Sequence, residues 1–144
     1  MLQSFTINKK IQIKAPVERI FSALTTSTEI IKYFPLTSVE SKWTLNGEVI
    51  YRGETNGMPF TDLGIIREIS YPTSYVYSYW SDNHGTEQKP ENYITICYSL
   101  EVLADTTLVK MEQRNIQSTE LYDVMNNQVW DFLLNSLKDY VEAN

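Results

Sequence analysis

Two spacings of apolar residues alternate along the chain. Phe5, Ile7, Ile11 and Ile13 fall at odd positions on either side of Asn8-Lys9-Lys10, with polar residues between them. Successive side chains leave a strand on opposite sides, so this period of two predicts a first strand with one covered face. Ala15-Pro16 ends it. Pro16 suits the first turn of a helix, Glu18 favours its positive end, and Val17, Ile20, Phe21 and Leu24 share one face, which predicts a helix to about Leu24. Thr26 and Glu29 have capping-box spacing ahead of Ile30, Ile31, Tyr33 and Phe34, and Pro35 closes the stretch, so a second short helix follows.

From about Val39 to Asn115 β-branched and aromatic residues alternate with polar ones between turn signals at Asn46-Gly47, Asn56-Gly57 and Tyr71-Pro72, the pattern of an antiparallel meander. The clearest strand is Ile94 to Val102, whose even positions are large and whose odd positions are small or polar. One of its faces is covered and the other wet. The same parity gives inward sets of Val49 and Tyr51; Val76, Ser78 and Trp80; and Val109, Met111 and Gln113. Tyr75, Tyr77 and Tyr79 form a competing face, and a slip of one residue exchanges the two sets. Ser81 to Asn92 is the most polar stretch and reads as a long loop.

At the end of the chain Leu121, Met125, Gln128, Val129, Phe132, Leu133, Ser136, Leu137 and Tyr140 recur at helical spacing, with Asp123, Asn127, Asp131, Asn135 and Asp139 opposite. This predicts a long amphipathic helix with Phe132 packed against the sheet near Tyr98 and Met111. A sheet wet on one face must cover the other, and this helix has the broadest apolar face to do so. The expected class is therefore α+β, a curved antiparallel sheet around a long C-terminal helix, over one domain spanning 1–144.

Composition narrows the function. A hydrophobic share of 42% is enough for a buried core in a chain of 144 residues. The net charge of -6 and the lack of Lys/Arg clusters oppose nucleic acid and anionic membrane surfaces as partners. No stretch approaches membrane-spanning length and the N-terminus lacks the apolar run of a signal peptide, so a cytoplasmic location without membrane insertion is expected. The one cysteine, Cys97, leaves no internal disulfide and no multi-cysteine metal site, and is expected to be a small buried or half-buried strand residue. Oligomeric state is left open.

Four stretches carry a resemblance: Ile13-Lys14-Ala15-Pro16-Val17-Glu18-Arg19-Ile20-Phe21-Ser22-Ala23-Leu24; Gly64-Ile65-Ile66-Arg67-Glu68-Ile69 with Pro72 and Trp80; Thr107-Leu108-Val109-Lys110-Met111; and Trp130 with Leu133-Leu134-Asn135-Ser136-Leu137-Lys138. In this order, from about Ile11 to Glu142, they resemble the START-like or SRPBCC superfamily with its helix-grip fold, and within it the branch of the activator of heat-shock-protein-90 ATPase. The chain departs from that pattern at Phe34, Asn46-Gly47 and Gln113, where relatives often have Trp, a glycine pair and His. The resemblance implies two short helices after the first strand, a six-strand meander, and a cavity between sheet and closing helix that takes a small hydrophobic molecule or lipid. It also raises a chaperone partner, met through an outward patch of Tyr75, Tyr77 and Tyr79 if that face is the outer one, and a cyclase or dehydratase chemistry with Tyr98 and Gln113 as its polar groups.

The residues expected to line such a cavity are Phe34, Tyr51, Ser78, Trp80, Tyr98, Met111, Gln113, Met125, Gln128 and Phe132. An aromatic and sulfur stripe can equally be plain core packing. The admixture of Ser78, Tyr98, Gln113 and Gln128 favours a binding site, because a buried hydroxyl or amide needs a partner. His84, the only histidine, reads as a solvated loop residue, and with no second ligand at metal spacing no metal is expected. No nucleotide fingerprint or nucleophile motif occurs, so no cofactor is expected. Asp62, Glu68, Glu101 and Glu112 read mostly as surface charges.

Overall fold

A computed structural model, which describes residues 4–144, turns the period-two stretches into seven strands: β1 (Phe5–Ile13), β2 (Leu36–Ser41), β3 (Glu48–Thr55), β4 (Met58–Ser70), β5 (Ser74–Ser81), β6 (Ile94–Val102) and β7 (Thr107–Ile116). All pairs are antiparallel, and the sheet runs β1-β7-β6-β5-β4-β3-β2, so six strands follow one another while β1 closes onto β7. Helices α1 (Val17–Leu24) and α2 (Ser27–Tyr33) bridge β1 to β2, which lie at opposite edges of the sheet. The closing helix is built from α3 (Thr119–Val124), a π-helical turn (Met125–Val129) and α4 (Trp130–Ala143). This is the helix-grip fold.

Register explains most of the inner face. Asn56 and Gly57 both have positive φ, 53° and 80°, as a two-residue hairpin turn requires, and they set Thr55 opposite Met58. Counting back from that turn pairs Tyr51 with Asp62. Both side chains therefore leave on the same face of the sheet. Val49 and Tyr51 on β3, Ile94, Ile96, Tyr98 and Leu100 on β6, and Val109, Met111 and Gln113 on β7 are all buried, as their parity predicts.

The parity expected of β5 is corrected. Tyr75, Tyr77 and Tyr79 are the buried inner set, opposite Tyr98, Ile96 and Ile94. Val76, Ser78 and Trp80 take the other face; Ser78 Oγ shares a 2.9 Å hydrogen bond with Thr95 Oγ1, and Trp80 Nε1 donates to the Thr86 carbonyl at 3.1 Å. The cause lies one strand away. The pairing of β4 with β5 shifts between Ile66 and Glu68, so Arg67 is an extra residue in β4. Without that bulge Asp62 and Gly64 would face even-numbered residues of β5; with it they face Ser81 and Tyr79.

The face expected of the closing helix holds at Leu121, Met125, Val129, Leu133, Leu137 and Tyr140 and is corrected at Gln128 and Phe132, for a similar reason. Trp130 N–H donates to the Met125 carbonyl five residues back, and one wide turn inserts a residue into the helical count. The fully buried positions beyond it are Trp130, Leu134, Leu137 and Val141; of the expected stripe Leu133, Leu137 and Tyr140 still pack inward, Ser136 is half-buried, and Phe132 turns out. Phe132 is 58% exposed and Gln128 is exposed as well, so neither packs on the sheet.

The two short helices are clamped to α4. Arg19 Nη2 lies 2.7 Å from Glu29 Oε1, which also accepts the Tyr140 hydroxyl at 2.9 Å, and Tyr33 stacks on Tyr140 with ring centres 5.2 Å apart. Glu29 is thus spent on α4 and makes no capping box; Thr26 is the N-cap of α2 but its side chain caps nothing. Cys97 is half-buried on β6, where Arg114 Nη2 approaches its Sγ at 3.4 Å. Among the described residues no helix is long and apolar enough to cross a membrane.

Candidate functional site

Between the inner face of the sheet and the stretch from α3 through the π turn lies a cavity of about 430 Å³. Its wall is aromatic. Tyr51, Tyr75, Tyr77, Tyr79 and Tyr98 rise from β3, β5 and β6, Tyr33 and Phe34 come from the end of α2, and Trp130 comes down from α4. The rings form a connected surface: Tyr75 and Tyr77 stack at 5.2 Å, Tyr75 and Tyr98 at 6.1 Å, and Tyr98 meets Trp130 edge-on at 6.2 Å. Leu121, Met125, Val129 and Leu133 cover it from the helix, and the lining residues that reach solvent, Pro35, Glu54, Thr55, Asn83 and Val124, form the mouth.

Polar groups sit in this wall under tight accounting. Tyr51 and Tyr75 share a hydrogen bond between their hydroxyls at 2.9 Å. Behind the wall, Trp130 Nε1 donates to Gln113 Oε1 at 2.6 Å, and Gln113 Nε2 donates to the Tyr79 hydroxyl at 3.2 Å. Gln113 is completely buried and both ends of its amide are used, so it ties helix to sheet. Among the described residues the hydroxyls of Tyr77 and Tyr98 have no protein partner, yet no enclosed side-chain polar atom is left unpaired. These two hydroxyls therefore open onto the cavity.

Burial pushes the phenol pKa values of Tyr51, Tyr75, Tyr77, Tyr79 and Tyr98 up, so all five remain neutral donors and acceptors. Asp62 is different. Burial raises its pKa to about 6, with the neighbouring Asp82 adding to the rise and the Ser81 hydroxyl opposing it. No lysine or arginine faces it from the cavity wall, and it takes part in no salt bridge among the described residues. His84 lies at the mouth with its ring edge-on to Tyr79 at 5.9 Å; burial lowers its pKa, Asp82 opposing, so it is neutral at pH 7.

Of the residues expected to line a cavity, Phe34, Tyr51, Tyr98 and Met125 are in the wall. Met111 and Gln113 are buried behind it, Ser78 and Trp80 are on the outer face of β5, and Gln128 and Phe132 face solvent. Tyr75, Tyr77 and Tyr79 are likewise inside, which removes the outward aromatic patch expected of them. His84 is corrected from a solvated loop residue to a half-buried rim residue, and Asp62 from a surface charge to a cavity carboxylate. Asp62 was legible in principle, since the Asn56-Gly57 turn and an inward Tyr51 fix its face. Trp130 was not, because nothing in its neighbours marks the π turn. Among the described residues no group of His, Cys, Asp and Glu is arranged to hold a metal ion.

The model of the family described as Activator of Hsp90 ATPase homolog 1-like protein matches residues 14–142. Among solved structures the chain is similar to a protein from Cytophaga hutchinsonii, with a TM-score of 0.82 and 26% identity over 99% of this chain and 97% of that one. It is also similar to the Aha1 dimer from Colwellia psychrerythraea, TM-score 0.76 and 23% identity over 96% of both chains, and to CalU16 from Micromonospora echinospora, TM-score 0.73 and 20% identity over 94% and 75%. The last two likenesses concern the fold alone. No curated protein matches the chain.

Proposed function

The chain belongs to the Activator of Hsp90 ATPase homolog 1-like family, and within that frame we propose that it binds a small hydrophobic molecule in the cavity between sheet and closing helix. The observation that carries this reading is the pair of Tyr77 and Tyr98 hydroxyls, which end in an apolar cavity without protein partners while every enclosed polar side-chain atom around them is paired. A ligand carrying one or two polar atoms can hydrogen-bond these open hydroxyls directly while its apolar body fills the rest of the cavity. An apolar pocket of roughly 300–1,000 Å³ with a few convergent polar groups is the usual form of a small-molecule site. The cytoplasm is the location that goes with this role, and residues 1–144 the domain that performs it.

Two measurements test it. Native mass spectrometry of mildly purified protein should show an added mass that acid treatment removes, and calorimetry with 1-naphthalenemethanol, a neutral bicyclic probe of suitable size, should show saturable binding. Leu133→Trp, which places a larger side chain into the lining, should weaken that binding. A protein that carries no added mass and does not bind the probe is not a hydrophobic-ligand binder of this kind.

A chaperone partner is the second reading, favoured by the family description. The aromatic patch that would have met the chaperone is buried, so any such contact falls on another surface. A pull-down with heat-shock protein 90 that retains nothing counts against it.

A further inference from the structure

The cavity wall has a definite electrical character. Of the charged residue types it contains two carboxylates, Glu54 at the mouth and Asp62 inside, and no lysine or arginine. Asp62 leaves the sheet on the same face as its register partners Tyr51 and Ser81, with Tyr79 on the next inward position of β5. Among the described residues Asp62 takes part in no salt bridge, and no lysine or arginine stands in the cavity wall to compensate it. The rings of Tyr51, Tyr77 and Tyr75, in that order and with successive centres 5.3 and 5.2 Å apart, line the same space. Aromatic faces carry negative partial charge and attract a cation placed over them, more strongly when it is desolvated. An uncompensated carboxylate beside such faces repels anions and is itself costly to keep ionised, unless a cation joins it.

We infer that the ligand is a hydrophobic cation: an apolar, preferably aromatic body carrying a protonated amine, with the ammonium placed between the Asp62 carboxylate and the tyrosine faces and the body against Trp130, Met125 and Leu133. This rests on the proposed role of the cavity as a ligand site and adds the sign of the ligand. The Tyr77 and Tyr98 hydroxyls accept from remaining N–H groups or meet polar atoms on the body. Fatty-acid and other carboxylate ligands of similar volume are disfavoured, because their head group would meet Asp62 or Glu54 and find no basic residue in the wall.

The test uses three probes of one shape: 1-naphthylmethylamine, cationic at neutral pH, 1-naphthalenemethanol, neutral, and 1-naphthoate, anionic. Calorimetry at pH 7.5 and low salt should rank them amine, alcohol, acid, with the amine about tenfold or more tighter than the alcohol. Asp62→Asn should bring the amine down to the affinity of the alcohol, whereas Glu101→Gln, at the end of β6 and exposed, should keep the wild-type ranking. Equal affinity for amine and alcohol in the wild-type protein, or tighter binding of naphthoate, overturns the inference while leaving the cavity as a binding site. The wild-type ranking stands without any variant, so a poorly folding Asp62→Asn does not protect the idea. Failure of all three probes to bind overturns the ligand-site reading itself, and the inference with it.

Discussion

The π turn makes a sharp prediction about two aromatic residues that lie two positions apart on the closing helix. Trp130 is 2% exposed and Phe132 is 58% exposed. Truncating Phe132 to alanine removes a ring with less than half its surface buried; full burial of such a side chain is worth about 1.5–3 kcal/mol, so about 1 kcal/mol is at stake. Alanine returns about 0.5 kcal/mol through its better helix propensity. The net loss should stay below about 0.5 kcal/mol. Trp130→Ala removes a fully packed ring, about 3–5 kcal/mol, and strips Gln113 Oε1 of its donor, which leaves a buried acceptor unpaired for about 1–3 kcal/mol more. That total is comparable with the whole stability of a small domain. Trp130→Phe keeps an apolar ring and loses mainly the hydrogen bond, so it should fold and cost about 1–3 kcal/mol. Urea denaturation followed by circular dichroism, read as midpoints at constant slope, measures all three. A large loss for Phe132→Ala with little effect of the Trp130 variants would mean that the helix runs without the wide turn and presents the other face.

Three further outcomes follow from the same geometry. Asp62 binds its proton more tightly folded than unfolded, so its contribution favours folding at low pH and is lost as pH rises from about 4 through about 6; Asp62→Asn should therefore gain up to about 3 kcal/mol at pH 7.5 and little at pH 3.5, and an equal difference at both pH values would refute the burial of this carboxylate. Gln113→Leu leaves the Trp130 indole N–H without its acceptor and the Tyr79 hydroxyl without its donor, and should cost about 2–4 kcal/mol by chemical denaturation; a neutral result would place Gln113 outside the network. Deleting Asn127, exposed within the π turn, should convert it to a regular turn while Met125 and Trp130 keep their inward positions, so the shortened protein should retain the far-ultraviolet spectrum and most of its stability, whereas inserting an alanine at the same point should rotate α4 off the sheet and unfold it.

What was legible in the amino-acid sequence is what local spacing controls. The alternation in Ile94 to Val102, the Asn56-Gly57 turn and the apolar recurrence of the closing segment determine strand, turn and helix with little help from distant residues, because each reflects a repeat of about two or 3.6 positions. These elements suffice for the class and, through their order, for the helix-grip arrangement. Gln113 was legible as a polar residue on an inward face, since β7 alternates regularly from Thr107 to Gln113.

Two single-residue irregularities decided the rest. The extra residue at Arg67 reverses the parity of β5 relative to β4, and the wide turn at Met125–Val129 shifts the buried edge of α4 so that Trp130 and Leu134 turn in and Phe132 turns out. Both leave composition and average period untouched, and Val76-Ser78-Trp80 would have made as plausible an inner face as Tyr75-Tyr77-Tyr79 from local pattern alone. Their stability comes from contacts between segments far apart in the chain: Tyr75 against Tyr98, Trp130 against Gln113, Tyr51 against Tyr75. A bulge or a wide turn is worth its local cost only when the side chains it redirects find such partners, and that is settled when the sheet and the helix pack together.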